Sequence, residues 1–330
     1  MDNSIFINSI SHMRVLEARM FSKAKLDSLV DSEDFSDCVR MLQNSYYGKY
    51  VNMISYEKGL KLAVEDFYKD MYKLFPLREV VDIMAVKYDN HNLKAIIKGE
   101  IYKKDFRDMI IDAGSIPVDV LMNGIKKRNF ADIPETISLM IERIFDSYNH
   151  KKNPQDIDME IDKEIYKYMF QIAEKSEMPY LFDFTKCSID LSNIRMFIRI
   201  KAQGKGEEFL KRAFIYGGKL NLDLFVSYIN EPLVRFSDKI MYTPYGKWSE
   251  GCIKKYIETK DLSLIDKFSD DFMTNYLKKA KLISFGPEPI IAYIFAKENE
   301  IKAVRIILTG KKNGVDPDII KERLRERYYV

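Results

Sequence analysis

Histidines are the first residues to consider for acid–base or metal chemistry in this sequence. Three occur, and none lies three or four residues from another histidine or from a cysteine, the spacing with which a helix presents two zinc ligands. A zinc site would therefore need carboxylates brought from distant parts of the chain. We interpret all three as surface or packed side chains: His12, His91 and His150.

Two further patterns fall short of a cofactor or metal site. Residues 204–206, Gly-Lys-Gly, come nearest to a phosphate-binding loop, but no strand precedes them and no Lys-Ser or Lys-Thr pair closes them, so they are typical of a helix end. Asp270 and Asp271 have the form of the paired aspartates that hold magnesium and diphosphate in helical isoprenoid enzymes. Those enzymes need another acid at the fifth position, where this chain has Thr274. We predict no catalytic residue, metal site or cofactor.

A basic run on one helix is the remaining polar feature. Arg195 and Arg199 lie about one helical turn apart, and charge along a helix is usually a solvated face. Two arginines at this spacing could also offer paired donors to the carboxylates of a protein partner. The pattern leaves both interpretations open.

The composition favours a helical protein. The chain has 330 residues, of which 46% are hydrophobic, and only 14 are glycine and 10 proline, few for a fold rich in tight turns. Lys and Arg number 53 against 50 Asp and Glu, so no broad basic field predicts nucleic acid as a partner. No signal peptide or membrane-spanning run is evident. The odd number of dispersed cysteines predicts reduced, packed thiols of a cytosolic protein: Cys38, Cys187 and Cys252.

Three stretches predict long helices of the same design. They cover residues 76–99, 179–204 and 289–310, each beginning with proline and ending at glycine. In the first two, an asparagine is followed by apolar residues at the spacing of one helix face, and we expect that asparagine to bond within the bundle. The corresponding positions are Asn92, Asn193 and Glu300, at intervals of about 100 residues. Glu300 makes the third copy degenerate.

Two other landmarks recur in the same order with a similar period. One is Phe-x-Asp at residues 35–37, 130–132 and 236–238, where we expect the aspartate to cap the short helix that follows. The other is an acidic residue followed by lysine at residues 57–58, 162–163 and 266–267, which we expect to open the next helix. Together the landmarks predict a threefold tandem repeat of helical bundles, with domains at residues 1–115, 116–216 and 217–330.

Four segments resemble the C subunit of the prokaryotic V-type (A-type) ATPases, whose eukaryotic counterpart is the d subunit of the vacuolar ATPase. They are VLEAR at 15–19, NLK at 92–94, RIKAQGKG at 199–206 and FGPEPIIAY at 285–293, the last continuing to ENE at 298–300. The resemblance covers the chain from about residue 4 to 330. Glu300 departs from the asparagine of the other copies within the last of these segments.

The resemblance implies an all-α fold of three similar domains around a pseudo-threefold axis, forming a funnel. It implies a rotor adaptor without catalytic activity, at the cytoplasmic face of the membrane. The wide opening would receive the D and F subunits of the central stalk, and the narrow face would rest on the membrane proteolipid ring. No contact residue is carried over from the family. From exposed polar positions of the repeat helices we predict five partner-binding residues: Arg14, His91, Lys94, Arg195 and Arg199.

Two other functions remain open at this stage. A generic helical scaffold could bind a peptide or protein in a central groove without any motor. A helical enzyme could place its pocket across the repeats, but it would need clustered acids or histidines along the axis. Co-purification with a coiled-coil stalk protein separates the rotor adaptor from both.

Overall fold

Helices account for all regular secondary structure in the described part of the chain. The structure is a computed structural model that describes residues 6–75, 77–151 and 153–328. The all-α prediction is confirmed over these residues. The helices are α1 (Ile7–Glu17), α2 (Lys23–Val30), α3 (Phe35–Leu42), α4 (Tyr56–Leu74), α5 (Arg78–Tyr102), α6 (Val118–Lys127), α7 (Glu135–Lys151), α8 (Pro154–Ser176), α9 (Pro179–Ala202), α10 (Glu207–Ala213), α11 (Leu222–Ser227), α12 (Leu233–Ile240), α13 (Gly246–Thr259), α14 (Ser263–Leu277), α15 (Pro287–Lys312) and α16 (Pro317–Arg323).

The three long helices predicted from the proline-to-glycine stretches are α5, α9 and α15. Pro179 starts α9, where a missing N–H costs little, whereas Pro76 lies outside the described residues. Gly204 follows α9 with a φ of +65°, which confirms the helix end at residues 204–206. Gly99 was wrongly predicted to end α5. Gly99 lies inside α5. A Cβ at this position would be only 3.1 Å from the carbonyl oxygen of Lys104, so the glycine lets the following segment pass close to the helix.

Two of the repeat landmarks play other roles than predicted. The residue that caps α3 is Asp34, whose side chain accepts the N–H of Asp37 at 2.8 Å, and the third Phe-x-Asp motif lies within α12. The acid–lysine pairs at residues 57–58 and 266–267 do lie in the first turns of α4 and α14. The pair at 162–163 instead lies inside α8, because Asn153 and Pro154 provide the cap and first turn at an earlier point of the chain.

Contacts divide the chain into two compact units. The first unit combines Met1–Pro76 with Glu258–Val330, and its central helix α15 packs against α1, α2, α3, α4, α14 and α16. The second unit, Leu77–Ile257, is built around α8, which packs against α5, α7 and α9. Apolar faces of these long helices form each core. None of the helices in the described ranges has the length and hydropathy needed to span a bilayer.

The three cysteines confirm the prediction of packed, reduced thiols. All are free and buried. Burial raises the pKa of the Cys38 thiol to about 11 and that of Cys187 to about 12. Because the thiolate is the reactive form, both side chains are chemically inert near neutral pH.

Candidate functional site

The asparagine on α5 holds a segment of backbone that returns to the helix. Asn92 is completely buried, its side-chain oxygen accepts the N–H of Ile111 at 2.9 Å, and its side-chain nitrogen donates to the carbonyl of Ile111 at 2.7 Å. The prediction that this asparagine bonds within the bundle is confirmed. We call this arrangement, a mid-helix side chain bonded to the backbone of another segment, a clamp.

Asp89, one turn before Asn92, completes the α5 clamp. Its carboxylate accepts the N–H of Ser115 at 2.9 Å, the hydroxyl of Ser115 at 2.6 Å and the N–H of Ile116 at 3.1 Å. Gly114 makes room for it, since a Cβ there would lie 2.1 Å from an Asp89 oxygen. Burial raises the pKa of Asp89 to about 7, although the donors from Ser115 and Ile116 act in the opposite direction.

The same clamp recurs on α9. Asn193 accepts the N–H of Ile215 at 3.0 Å and donates to its carbonyl at 2.8 Å. Asp190, again one turn earlier, accepts the N–H groups of Lys219 and Leu220, both at 3.0 Å. Both side chains are completely buried. Each lies about 100 residues after its counterpart on α5, so the two helices share one bonding pattern at that interval.

Two details strengthen the correspondence between these clamps. A Cβ on Gly218 would lie 2.1 Å from an Asp190 oxygen, the same distance as between Gly114 and Asp89. Burial raises the pKa of Asp190 as it does that of Asp89. The sequence analysis missed these aspartates and glycines. The available signal was an Asp-x-x-Asn pattern on both helices, followed in each copy by a glycine beyond the end of the helix.

On α15 the clamp is built from charged residues. Lys297 and Glu300 occupy the positions that the aspartate and the asparagine hold on α9. Glu300 accepts the N–H of Phe21 at 2.5 Å, the hydroxyl of Tyr47 at 2.7 Å and the ammonium of Lys297 at 2.6 Å. Both charged residues are 5% exposed. The Lys297 ammonium also lies 4.1 Å from the centre of the Tyr46 ring. Glu300 therefore bonds the backbone of another segment as the two asparagines do, although its copy of the sequence pattern is degenerate.

The predicted partner-binding residues of α5 have partners within their own unit. Nε2 of His91 lies 2.7 Å from the carbonyl oxygen of Met109, and the Lys94 ammonium lies 2.5 Å from an oxygen of Asp162 on α8. Both side chains are half-buried. They lie close together on one helix, and each could engage a protein partner only through the part of its surface left exposed.

The three predicted arginines lie on α1 and α9 and are also half-buried. Arg14 is 2.8 Å from Glu17 and belongs to the first unit. Arg195 donates to the hydroxyl of Ser192 at 3.2 Å and shares α9, in the second unit, with Arg199. Within the second unit the predicted residues lie on two helices, α5 and α9.

The paired aspartates are engaged in structural contacts. Asp270 lies 3.1 Å from Lys302 and 3.2 Å from Arg325, and Asp271 accepts the N–H of Glu326 at 2.5 Å. Burial raises the pKa of Asp270, but the two cations outweigh it and hold that pKa below its usual value. This pair joins α14 to α15 and to the segment after α16. Asp270 thus belongs to an ion-pair network.

Comparison with known proteins places this sequence among ATPase subunits. The family model described as ATP synthase (C/AC39) subunit matches residues 10–323. The C subunit of the V-type sodium ATPase of Enterococcus hirae is 24% identical over 319 residues, which cover 96% of this chain and 97% of that protein. The C subunits of the A-type ATP synthases of Methanocaldococcus jannaschii and Pyrococcus furiosus are 24% and 25% identical, covering 95% and 96% of this chain and 84% and 89% of theirs.

Proposed function

Because the chain belongs to the ATP synthase (C/AC39) subunit family, we propose that it is a non-catalytic rotor adaptor of a V/A-type ATPase. It would couple the central stalk, formed by the D and F subunits, to the membrane proteolipid ring. ATP hydrolysis or synthesis would thereby be linked to H⁺ or Na⁺ transport. The observation that carries the proposal is the extent of the family match, which includes nearly the whole chain. The adaptor would be peripheral, at the cytoplasmic face of the membrane.

A threefold domain organisation is part of this proposal. The domains are residues 1–115, 116–216 and 217–330, arranged as a funnel around a pseudo-threefold axis. Support comes from the clamps, which recur at equivalent positions of α5, α9 and α15 at intervals of about 100 residues. Three copies of one bonded element at near-equal intervals are typical of tandem duplication.

The clamps also suggest how neighbouring copies are joined. In the first copy, Asp89 of α5 accepts the N–H of Ile116, the first residue of the second domain. In the second copy, Asp190 of α9 accepts the N–H groups of Lys219 and Leu220, which belong to the third domain. In the third copy, α15 holds Phe21, near the start of the chain. The last copy would thereby be bonded to the first, in agreement with a compact unit that combines an early and a late part of the chain. Closure of this kind suits an adaptor that transmits torque, because no terminal copy is left unattached.

The proposed interfaces would each be of standard size, on the order of 800 Å² per partner. We retain Arg14, His91, Lys94, Arg195 and Arg199 as proposed contact residues. Their half-exposed, polar surfaces match the rim of an interface rather than its apolar core. Rim charges affect association rate and salt dependence more than they affect affinity.

Co-purification tests the proposed function. The full chain, tagged at its C-terminus and expressed in its native host, is recovered from gently solubilised membranes. We expect a stoichiometric complex containing a coiled-coil stalk protein and the proteolipid ring. Recovery without ATPase subunits, or with an unrelated peptide partner, would contradict the rotor adaptor and favour a generic scaffold.

Alanine substitution tests the five proposed contacts. The quintuple variant should assemble with stalk and ring more slowly than the wild type, and its association rate should depend less on salt concentration because charges that steer the encounter are gone. The control replaces five exposed charges away from these positions, Lys58, Lys104, Asp119, Lys126 and Glu208. Equal thermal stability of the two variants must be established first, because His91 and Lys94 have internal bonds. Unchanged assembly of the stable quintuple variant would show that the contacts lie elsewhere.

A further inference from the structure

The first unit contains a cavity of about 790 Å³ beside the α15 clamp. It is bounded by α1, the start of α2, the end of α3, the second half of α4 and the first half of α15. Its volume falls within the range of about 300–1,000 Å³ that is usual for small-molecule sites. Neither the clamp nor the proposed adaptor role requires such a space.

The wall of this cavity is mainly apolar. Phe67 and Met71 on α4 and Leu16 on α1 contribute to it. Phe67 and Met71 are 3% and 1% exposed, so they belong to a fixed core rather than to a mobile surface. A ligand would therefore present an apolar body to this wall, gaining about 25 cal/mol for each Å² removed from water.

Two buried polar groups of α15 add a specific chemical preference. Tyr293 is 4% exposed and contributes to the cavity wall, and its hydroxyl has no hydrogen-bond partner within residues 6–75, 77–151 and 153–328. Lys297 also contributes to the wall, and its ammonium has three donors, of which one is used by Glu300. Donors that face the cavity and are not used by other protein groups can bind the acceptor oxygens of a ligand.

The charges around the cavity favour an anion. Four of its lining residues are cationic, with Arg19 and Lys73 exposed at the mouth, Lys25 half-buried and Lys297 inside. Asp70 is the one acidic residue among the described residues that line it. Lys73 is paired with Asp70 at 3.7 Å and Lys297 with Glu300 at 2.6 Å, so the net positive charge comes from Arg19 and Lys25. This charge attracts anions toward the opening.

We propose that this cavity binds a small organic acid with an apolar body, its carboxylate bonded to the Tyr293 hydroxyl and the Lys297 ammonium. The body lies against Phe67, Met71 and Leu16. The site lies between α1, α4 and α15, and α1 and α4 both pack against the helix that carries the α15 clamp. The proposal is independent of the rotor adaptor, since it depends only on residues of the first unit.

Binding of matched eight-carbon probes to the purified full chain, followed by calorimetry, tests the proposal. Octanoate should bind at least about tenfold more tightly than octylammonium, and octanol should bind with intermediate affinity. Equal binding of octanoate and octylammonium would overturn the proposal. So would the absence of octanoate binding up to about 5 mM.

Variants locate the site within the cavity. Tyr293→Phe removes the hydroxyl without removing any internal hydrogen bond of the described residues, and should weaken octanoate binding about five- to tenfold. Leu16→Trp should abolish binding by filling the space. Lys73→Glu should weaken binding at low salt. The controls are Tyr242→Phe at a 97% exposed position, and Lys58→Glu at the opposite end of α4. If Tyr293→Phe and Leu16→Trp both bind octanoate like the wild type, the cavity is not the site.

Discussion

At the middle of α9 a neutral amide holds the backbone, whereas at the middle of α15 a carboxylate does so. Asn193 both accepts from and donates to Ile215. Glu300 can only accept, so it takes the N–H of Phe21 and fills its remaining capacity with Tyr47 and Lys297. The position on the helix and the role are shared, but the chemistry differs.

This difference determines the free energy that it costs to bury the asparagine of α9 and the glutamate of α15. An amide that bonds both backbone groups of one residue leaves no charge to desolvate. The α15 clamp removes two charges from water, and their mutual attraction must offset that penalty. Glu300 and Lys297 therefore depend on each other, whereas replacing Asn92 or Asn193 removes only the bonds of that asparagine.

The largest expected effect follows removal of one charge from the α15 clamp. Glu300→Ala leaves Lys297 buried without its counter-ion and Tyr47 without an acceptor. We expect a loss of about 3–5 kcal/mol in the free energy of unfolding, measured by urea denaturation. The matched control is Lys297→Met with Glu300→Gln, which removes both charges and keeps an acceptor for Phe21 and Tyr47. That double variant should lie within about 1–2 kcal/mol of the wild type. Equal losses in the two variants would contradict the dependence of the α15 clamp on its ion pair.

Smaller losses of unfolding free energy are expected when Asn193 or Asn92 is replaced by alanine, and the loss should be larger for Asn193. Asn193→Ala leaves the N–H and carbonyl of Ile215 unsatisfied in a fully buried site, at a cost of roughly 2–3 kcal/mol. The bonds of Asn92 with Ile111 are only partly buried, so water can replace them and Asn92→Ala should cost roughly 1–2 kcal/mol. Both values come from urea denaturation, with Asn313→Ala as an exposed control. A greater loss in Asn92→Ala than in Asn193→Ala would contradict the order given by burial.

The last expected effect is a pH dependence at the α5 clamp. The pKa of Asp89 is about 7 in the folded chain, against 3.8 for an ordinary aspartate. Between about pH 4 and 7 the folded state retains a proton that the unfolded state has lost, so this residue's contribution to stability falls as pH rises. Raising the pH from 4.5 to 7.5 should therefore lower the unfolding free energy of the wild type relative to that of Asp89→Asn. The opposite shift would show that the donors from Ser115 and Ile116 outweigh burial.

The sequence was sufficient for the helical class, the three long helices and the internal bonding of Asn92, because these follow from helical periodicity and local chemistry. It did not reveal the partners of Asp89 and Asp190. Hydrogen-bond partners lie across loops of different length, with Asn92 and Asn193 reaching residues 19 and 22 positions away. Nor could it show that Glu300 preserves a clamp, since Phe21, whose N–H it accepts, is 279 residues away. Such contacts arise only when the chain ends come together.

Coupling between ATP hydrolysis and ion transport tests the central functional claim most directly. The measurement is the ratio of ATP-driven ion uptake to ATP hydrolysis in inverted membrane vesicles, from cells with and without this chain. The adaptor role predicts that removing the chain abolishes ion uptake while hydrolysis by the catalytic sector persists, and that adding back the wild-type chain restores uptake. An unchanged ratio in vesicles lacking the chain would contradict it.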